Sequence, residues 1–280
     1  MDINKQRNLL HTEQLGFWYN PENIIFDNIN IAFNDNEFTA IAGQNGCGKT
    51  TLLKIFTGLL RPQKGNFFIR GKNTREMKTN EIAGEIGFIM QDVESQLFEA
   101  TVYDETAFSL RHAAVKIPEN IIRQKTEESL SIVGMIDKRD AFPQALGRAD
   151  KVKTVFAAVL AMGPKIIILD EPAAGHDREN CRLIMDIASN LREKGYTIIM
   201  VSHNMNIIAE YAERLVVLKS SAVFLDGKPR EVFEKTSEMA EANLRPPQIN
   251  RFSRDLQKHL KFGKNALTPE ELTETFISLK

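Results

Sequence analysis

Apolar and polar positions change rhythm several times along the chain, and each change marks an element. The first part carries short β-rich segments separated by turn residues: Leu15 to Tyr19, Ile29 to Phe33, Phe38 to Ala42 and Phe67 to Arg70. One helix interrupts them. It is predicted from Gly48 to about Leu60, ending before Arg61-Pro62 because a proline disfavours helix at the residue before it. Another strand, Ile86 to Met90, leads through a polar loop into a long helical region from about Val102 to Met162. The order then becomes strand, helix, strand, helix: Lys165 to Leu169, Arg178 to Glu193, Thr197 to Val201 and Met205 to Tyr211. Continuous β-branched runs alternating with amphipathic helices predict a parallel sheet covered on both faces. Two last strands, Arg214 to Lys219 and Ala222 to Leu225, precede a tail with Pro246-Pro247. In that tail Thr268 reads as an N-cap, with Pro269 at the first helical position and Glu271 completing a capping box.

With 280 residues and 42% hydrophobic content, the chain can bury at least one substantial core. The balance of 36 basic and 37 acidic residues gives no global positive field for a nucleic-acid backbone, so no nucleic-acid partner is expected. Cys47 and Cys181 are too few for a disulfide framework and lack a metal-ligand spacing, which fits a reducing cytosol. The start carries no signal-peptide core, and no stretch approaches the roughly 18 apolar residues of a membrane span. A membrane role must therefore come through a partner.

The chemistry is concentrated in a few short motifs. Gly43, Gln44, Asn45, Gly46, Cys47, Gly48, Lys49 and Thr50 match GxxxxGK[ST] between a strand and a helix, the context a phosphate-binding loop requires. Its glycines let backbone N–H groups face phosphates at a helix N-terminus. Lys49 is expected to reach the β and γ phosphates of ATP, and the Thr50 hydroxyl to ligate Mg²⁺, with Thr51 adjoining the same site. Cys47 occupies a serine-like position where helix proximity can lower a thiol pKa; a small space-filling residue is the simpler account. Ile166 to Leu169 followed by Asp170 and Glu171 has the form of a Walker B motif. There Asp170 belongs to the Mg²⁺ shell and Glu171 polarises the attacking water.

With these motifs in order, residues 12–235 resemble the ATPase subunits of ABC transporters. The resemblance implies an α/β P-loop NTPase fold: a mainly parallel sheet core, an antiparallel β subdomain and a helical subdomain inserted at about 92–162. A C-terminal extension, 236–280, is expected to be helical and to lie at a dimer contact. It also implies that Tyr19 stacks on adenine, the alternative being an ordinary strand aromatic. Gln91 matches the Q-loop glutamine that touches Mg²⁺, His203 the switch histidine on the γ-phosphate, and Ala174, Gly175, His176 and Asp177 the D-loop. The run Gln91 to Phe98 followed by Thr101-Val102, with the tail Pro246 to Ile249, is similar to energy-coupling factor ATPases, which power uptake of vitamins, cobalt or nickel. In that family, two ATPase subunits bind a membrane scaffold that holds a substrate-capture protein, which places this chain at the cytoplasmic face of the membrane.

The chain departs from the family at the signature loop. The usual Leu-Ser-Gly-Gly-Gln is here Leu146, Gly147, Arg148, Ala149 and Asp150. Gly147 offers no hydroxyl, and a lost hydrogen bond to a charged group costs about 1.5–3 kcal/mol. Asp150 brings negative charge, and Arg148 adds bulk where glycine allows close approach. The composite site that uses this loop is expected to be impaired, which favours an asymmetric heterodimer over a homodimer. His176 stands where leucine is commonest in the D-loop. The competing readings are an ATPase of another ABC transporter class, a soluble ABC ATPase acting on ribosomes or DNA, and a nucleotide-binding regulatory subunit without turnover.

Overall fold

The computed structural model describes residues 8–113, 115–172, 174–175, 177–259 and 265–277. Its larger sheet has the order β11-β10-β4-β9-β8-β7. Here β4 is Phe38–Gly43, β7 Ile86–Ile89, β8 Ile166–Asp170, β9 Thr197–Val201, β10 Arg214–Lys219 and β11 Ala222–Gly227. The five strands from β10 to β7 run parallel, and β11 closes one edge as an antiparallel hairpin partner. The central strands are apolar without interruption, yet their side chains still alternate between faces. Ala40, Ala42, Ile167, Leu169, Ile198 and Met200 enter one core cluster; Ile41, Ile166, Ile168, Ile199 and Val201 enter another. Burial on both faces explains why a strict apolar/polar alternation is missing from these segments.

The second sheet is antiparallel, with β1 (Asn8–Asn20) between β2 (Asn23–Ile29) and β5 (Lys64–Ile69), β6 (Lys72–Asn73) beside β5, and β3 (Ala32–Asn34) also on β1. The expected single strand Ile29 to Phe33 is thus divided. Thr12 is the reason: its hydroxyl donates to Ile29 O (3.0 Å) and accepts from Ile31 N–H (3.0 Å), replacing ladder bonds and separating β2 from β3.

Helix α1 (Lys49–Phe56) is shorter than expected. It stops at Gly58, whose φ of +73° permits a left-handed turn with Leu60 N–H returning to Lys54 O (3.0 Å); Pro62 comes too late to matter. Between β6 and β7 lies α2 (Thr79–Glu85), which the apolar pattern did not reveal. The long helical region resolves into α3 (Val102–Arg111), α4 (Glu119–Ile132) and α5 (Arg148–Ala161). These three pack together and bury Ala107, Leu110, Ile122 and Ala161 as a satellite core.

After β8, α6 (Arg178–Glu193) and α7 (Met205–Tyr211) flank β9 with the bounds that the sequence predicts. The C-terminal part holds α8 (Pro229–Glu234), α9 (Thr236–Glu241), α10 (Gln248–Gln257) and α11 (Pro269–Ile277). Thr268 accepts from Glu271 N–H (3.3 Å), but the Glu271 carboxylate accepts from Leu267 N–H (2.8 Å) rather than from Thr268. Arg230 on α8 donates to both Glu271 oxygens (2.9 and 2.8 Å), pinning α11 to the body.

Candidate nucleotide site

The loop from Gly43 to Gly48 leaves the C-terminal end of β4 and turns directly into α1. Gly48 caps that helix with φ +98°, and a Cβ there would lie 2.5 Å from the buried Phe26 ring, so the position requires glycine. Gly43 is equally confined, because a Cβ would sit 2.5 Å from Leu218 O on β10. No side chain caps α1 and its first turn carries no acid, which leaves the helix N–H groups available to an anionic ligand. Lys49 Nζ donates to Gly43 O (2.7 Å) and Gln44 O (3.0 Å), bracing the loop and keeping one ammonium proton for a phosphate. Gln44, Asn45 and Gly46 form the exposed crest, and the half-buried Cys47 packs its thiol beneath it.

Tyr19 is the last residue but one of β1 and is 54% exposed. Its hydroxyl lies 3.4 Å from the buried Thr51 hydroxyl and its ring 5.0 Å edge-on from Phe17, so an aromatic face stands beside the start of α1. Exposure on that scale removes the reading of Tyr19 as an ordinary core aromatic.

Thr50, Gln91 and Asp170 border one cavity of about 510 Å³ between α1, the end of β8 and the segment after β7. Their donors are a hydroxyl, an amide oxygen and a carboxylate, a hard-oxygen set that suits Mg²⁺. Among the described residues no cluster of three His, Cys, Asp or Glu side chains forms a dedicated metal cage. That fits a cation that completes its shell with phosphate oxygens and water. Burial, and after it the adjacent Glu171 charge, pushes the Asp170 carboxyl above its ordinary range, against the pull of Lys49 and Lys54.

Glu171 adopts φ +49°, a strained left-handed conformation for a non-glycine residue, fixed by Glu171 N–H to Val201 O (3.0 Å) and Ala174 N–H to Glu171 O (3.0 Å). The turn aims its carboxylate at His203, whose Nδ1 lies 2.7 Å from Oε1, while the buried Ser202 hydroxyl approaches Oε2 at 3.4 Å. Ser202 also accepts from Asn204 N–H (3.1 Å), and Asn204 caps α7. Sequence reading missed this supporting role of Ser202, although its position next to His203 was the available signal.

A family profile described as ABC transporter matches residues 26–174. The chain belongs to the ABC transporter family of ATPases. The energy-coupling factor transporter ATP-binding protein EcfA2 of Caldanaerobacter subterraneus is 34% identical over 277 residues, covering 96% of both chains. A putative ABC transporter ATP-binding protein of the same organism, TTE1589, is 35% identical over 94% of this chain. The present chain spans only 45% of that relative and 40–42% of three putative ABC transporter ATP-binding proteins of Methanosarcina species. Among solved structures, cbiO1 of Clostridium perfringens, described as part of the ABC transporter complex cbiONQ, superimposes with TM-score 0.77 at 32% identity, over 89% of this chain and 99% of cbiO1.

The D-loop and signature stretches expected from the sequence take the following positions. Asp177 of the D-loop caps α6 by accepting from Asn180 N–H (2.8 Å), and Ala174 and Gly175 form the turn before it; His176 lies outside the described residues. In the signature stretch, Leu146 packs on the core and Gly147 caps α5 with no side-chain bond to its amides. Ala149 is half-buried. Asp150 turns towards its own subdomain, paired with Lys138 and Lys153. Partial burial opposes its charge, but the hydrogen bonds from both lysines prevail and hold the carboxyl below its usual range. The expectation that Asp150 repels a phosphate is therefore blunted, because its charge is already matched.

Proposed function

We propose that the chain binds and hydrolyses ATP to power a membrane importer of the energy-coupling factor type, for a vitamin or a transition metal. The relatives named above support that class, and the contact between Glu171 and His203, next to an Asp170 on which the Lys49 charge also acts, carries the reading of turnover. The triphosphate lies along Gly43 to Thr50, with α1 amides and Lys49 matching its charge and Tyr19 stacking on the adenine. Thr50, Asp170 and Gln91 would hold Mg²⁺, which would supply neutralisation of the phosphate charge. Glu171 orients water in line with the γ-phosphorus and takes its proton as the O–P bond forms and the bond to ADP breaks. His203, tethered by Glu171 yet exposed, reaches the γ-phosphate oxygens.

The partners are a second ATPase subunit, a transmembrane scaffold and a substrate-capture protein, with this chain peripheral on the cytoplasmic face. Among the described residues no helix is long and apolar enough to cross a membrane. Exposed Phe98, edge-on to Phe108 at 4.7 Å and close behind Gln91 in sequence, offers an apolar foothold for the scaffold. The C-terminal extension, with exposed Phe252, supplies a subunit contact. In the asymmetric dimer the partner's intact signature completes this chain's site, whereas Gly147, which caps α5 without a hydroxyl, serves the opposite site poorly. Glu171→Gln in the assembled complex is the test: loss of most ATPase activity with nucleotide still bound is expected, and retention of most activity would refute the asymmetric scheme.

A further inference from the structure

Arg148 heads α5 at a signature position where the family has glycine, and its side chain does not project away from its own chain. Its Nη1 donates to Gly175 O at 3.4 Å, and the guanidinium lies so close over Gly175 that a Cβ there would be 2.6 Å from Nη1. The same side chain borders the cavity shared by Thr50, Gln91 and Asp170. The other cations of that cavity differ in their commitments. Lys151 is buried and paired with Glu94 at 3.0 Å, and Lys54 comes from the opposite wall on α1. Arg148 has no carboxylate partner among the described residues, and the long bond to Gly175 leaves most of its five N–H donors uncommitted.

We propose that Arg148 acts in cis, as a specificity-determining cation of this chain's own nucleotide cleft that favours the triphosphate over the diphosphate. The assignment rests on the nucleotide reading above and replaces a role for Arg148 on the partner's nucleotide. The cavity holds three carboxylates: Glu94 is paired with Lys151, Asp170 is the candidate metal ligand, and Asp92 makes no ion pair with Arg148 among the described residues, while the nearby Asp150 is neutralised by Lys138 and Lys153. A γ-phosphate adds negative charge at the Thr50 and Asp170 end of the site, where a planar fork of donors binds phosphate oxygens well. ADP lacks that group and gains little from Arg148.

The test uses the full-length chain, kept monomeric as checked by sedimentation, with Mg²⁺ and either a non-hydrolysable ATP analogue or ADP in equilibrium binding. Arg148→Ala is expected to weaken the triphosphate by about tenfold, a value discounted for solvent exposure, and to change ADP affinity by less than about twofold. Arg148→Lys, which keeps charge without the fork, is expected to fall between parent and Ala. The ADP affinity doubles as a check that the variant is folded. Equal effects on the two nucleotides, or none, would overturn the cis assignment. So would a loss that appears only after pairing with a second ATPase subunit. Failure of the parent chain to bind either nucleotide would overturn the nucleotide reading, and this assignment with it.

Discussion

His203 Nδ1 stands 2.7 Å from Glu171 Oε1 because β8 and β9 are parallel neighbours in a register that pairs Asp170 with Val201. Each strand ends at that pair, and the residues just beyond it meet in space across 32 positions of sequence. The contact orients the imidazole through Nδ1 and leaves Nε2 outside that bond. His203→Ala is therefore expected to reduce single-turnover hydrolysis in the assembled complex by about 10²–10³-fold. ATP binding should stay within about threefold, since Lys49 and the α1 amides supply most of it. A hydrolysis rate close to the parent's would leave the histidine without a part in the chemistry.

Asp170 makes stability depend on pH in a definite direction. Its folded pKa is raised by burial and then by Glu171, so the folded state holds the proton more tightly than the unfolded chain does. The resulting contribution to stability is complete below the ordinary aspartate value of about 3.9 and is lost as pH rises through the folded value. At pH 7.5 the ionised group is a net cost. Asp170→Asn should therefore raise the Mg²⁺-free Tm at pH 7.5, by about 2–4 °C for each kcal/mol relieved, and the gain should shrink as pH falls through the folded value towards the ordinary aspartate range. The same variant should lose Mg²⁺-dependent nucleotide binding. A Tm below the parent's across that range would contradict the assignment.

What was legible in the sequence divides by the range over which each feature is determined. The strand–loop–helix course around Gly43 to Lys49, a strand running up to Asp170, and the bounds of α6, β9 and α7 are set by local patterns, and the structure reproduces these elements. Helix α10 lies in the extension expected to be helical, but no apolar pattern gives its bounds, because that pattern is inverted: Asn250 and Ser253 are buried, satisfied in part by Arg254 and Ala266 N–H, while Phe252 is 53% exposed. A search for apolar periodicity does not find such a helix. The reach of Arg148 to Gly175 spans 27 positions and depends on how α5 packs, which no motif encodes. The ion pair of Asp150 with Lys138 is hidden for the same reason, since Lys138 lies in a separate turn, whereas the pair with Lys153 is a local i,i+3 contact on α5.

Glu105 illustrates a tertiary bond that prepares the proposed scaffold contact. It is nearly fully buried near the start of α3, and its Oε2 accepts from both Phe98 N–H and Glu99 N–H at 2.8 Å. Those bonds fix the segment that presents Phe98. Glu105→Ala strands two amides and is expected to cost about 2–3 kcal/mol in urea unfolding, and to weaken stimulation of ATPase activity by the scaffold. Glu105→Gln keeps an acceptor oxygen and should cost about 1 kcal/mol or less. Equal stability of the Ala and Gln variants would show that the acceptor is not what matters there.

The signature loop can be divided into residues that affect activity and one that affects stability. Gly147→Ser supplies a hydroxyl at the N-cap of α5, where serine exceeds glycine by only a few tenths of a kcal/mol, so the stability change should be small. Its effect should appear as faster turnover at the partner's site, measured in a complex whose own Glu171 is replaced by Gln. Asp150→Gln acts differently, because it removes the pairing with Lys138 and Lys153. Such partly exposed pairs are worth about 0.5–1 kcal/mol, lowering Tm by about 2–4 °C or less at pH 7.5. The folded Asp150 pKa is depressed, so this contribution is present above the ordinary aspartate value and lost as pH falls through the folded one. The penalty for Asp150→Gln should accordingly fade in acid, whereas the gain from Gly147→Ser should not follow that titration. If Gly147→Ser together with Arg148→Gly and Ala149→Gly leaves turnover at the partner's site unchanged in a stable complex, the loop is not what limits that site.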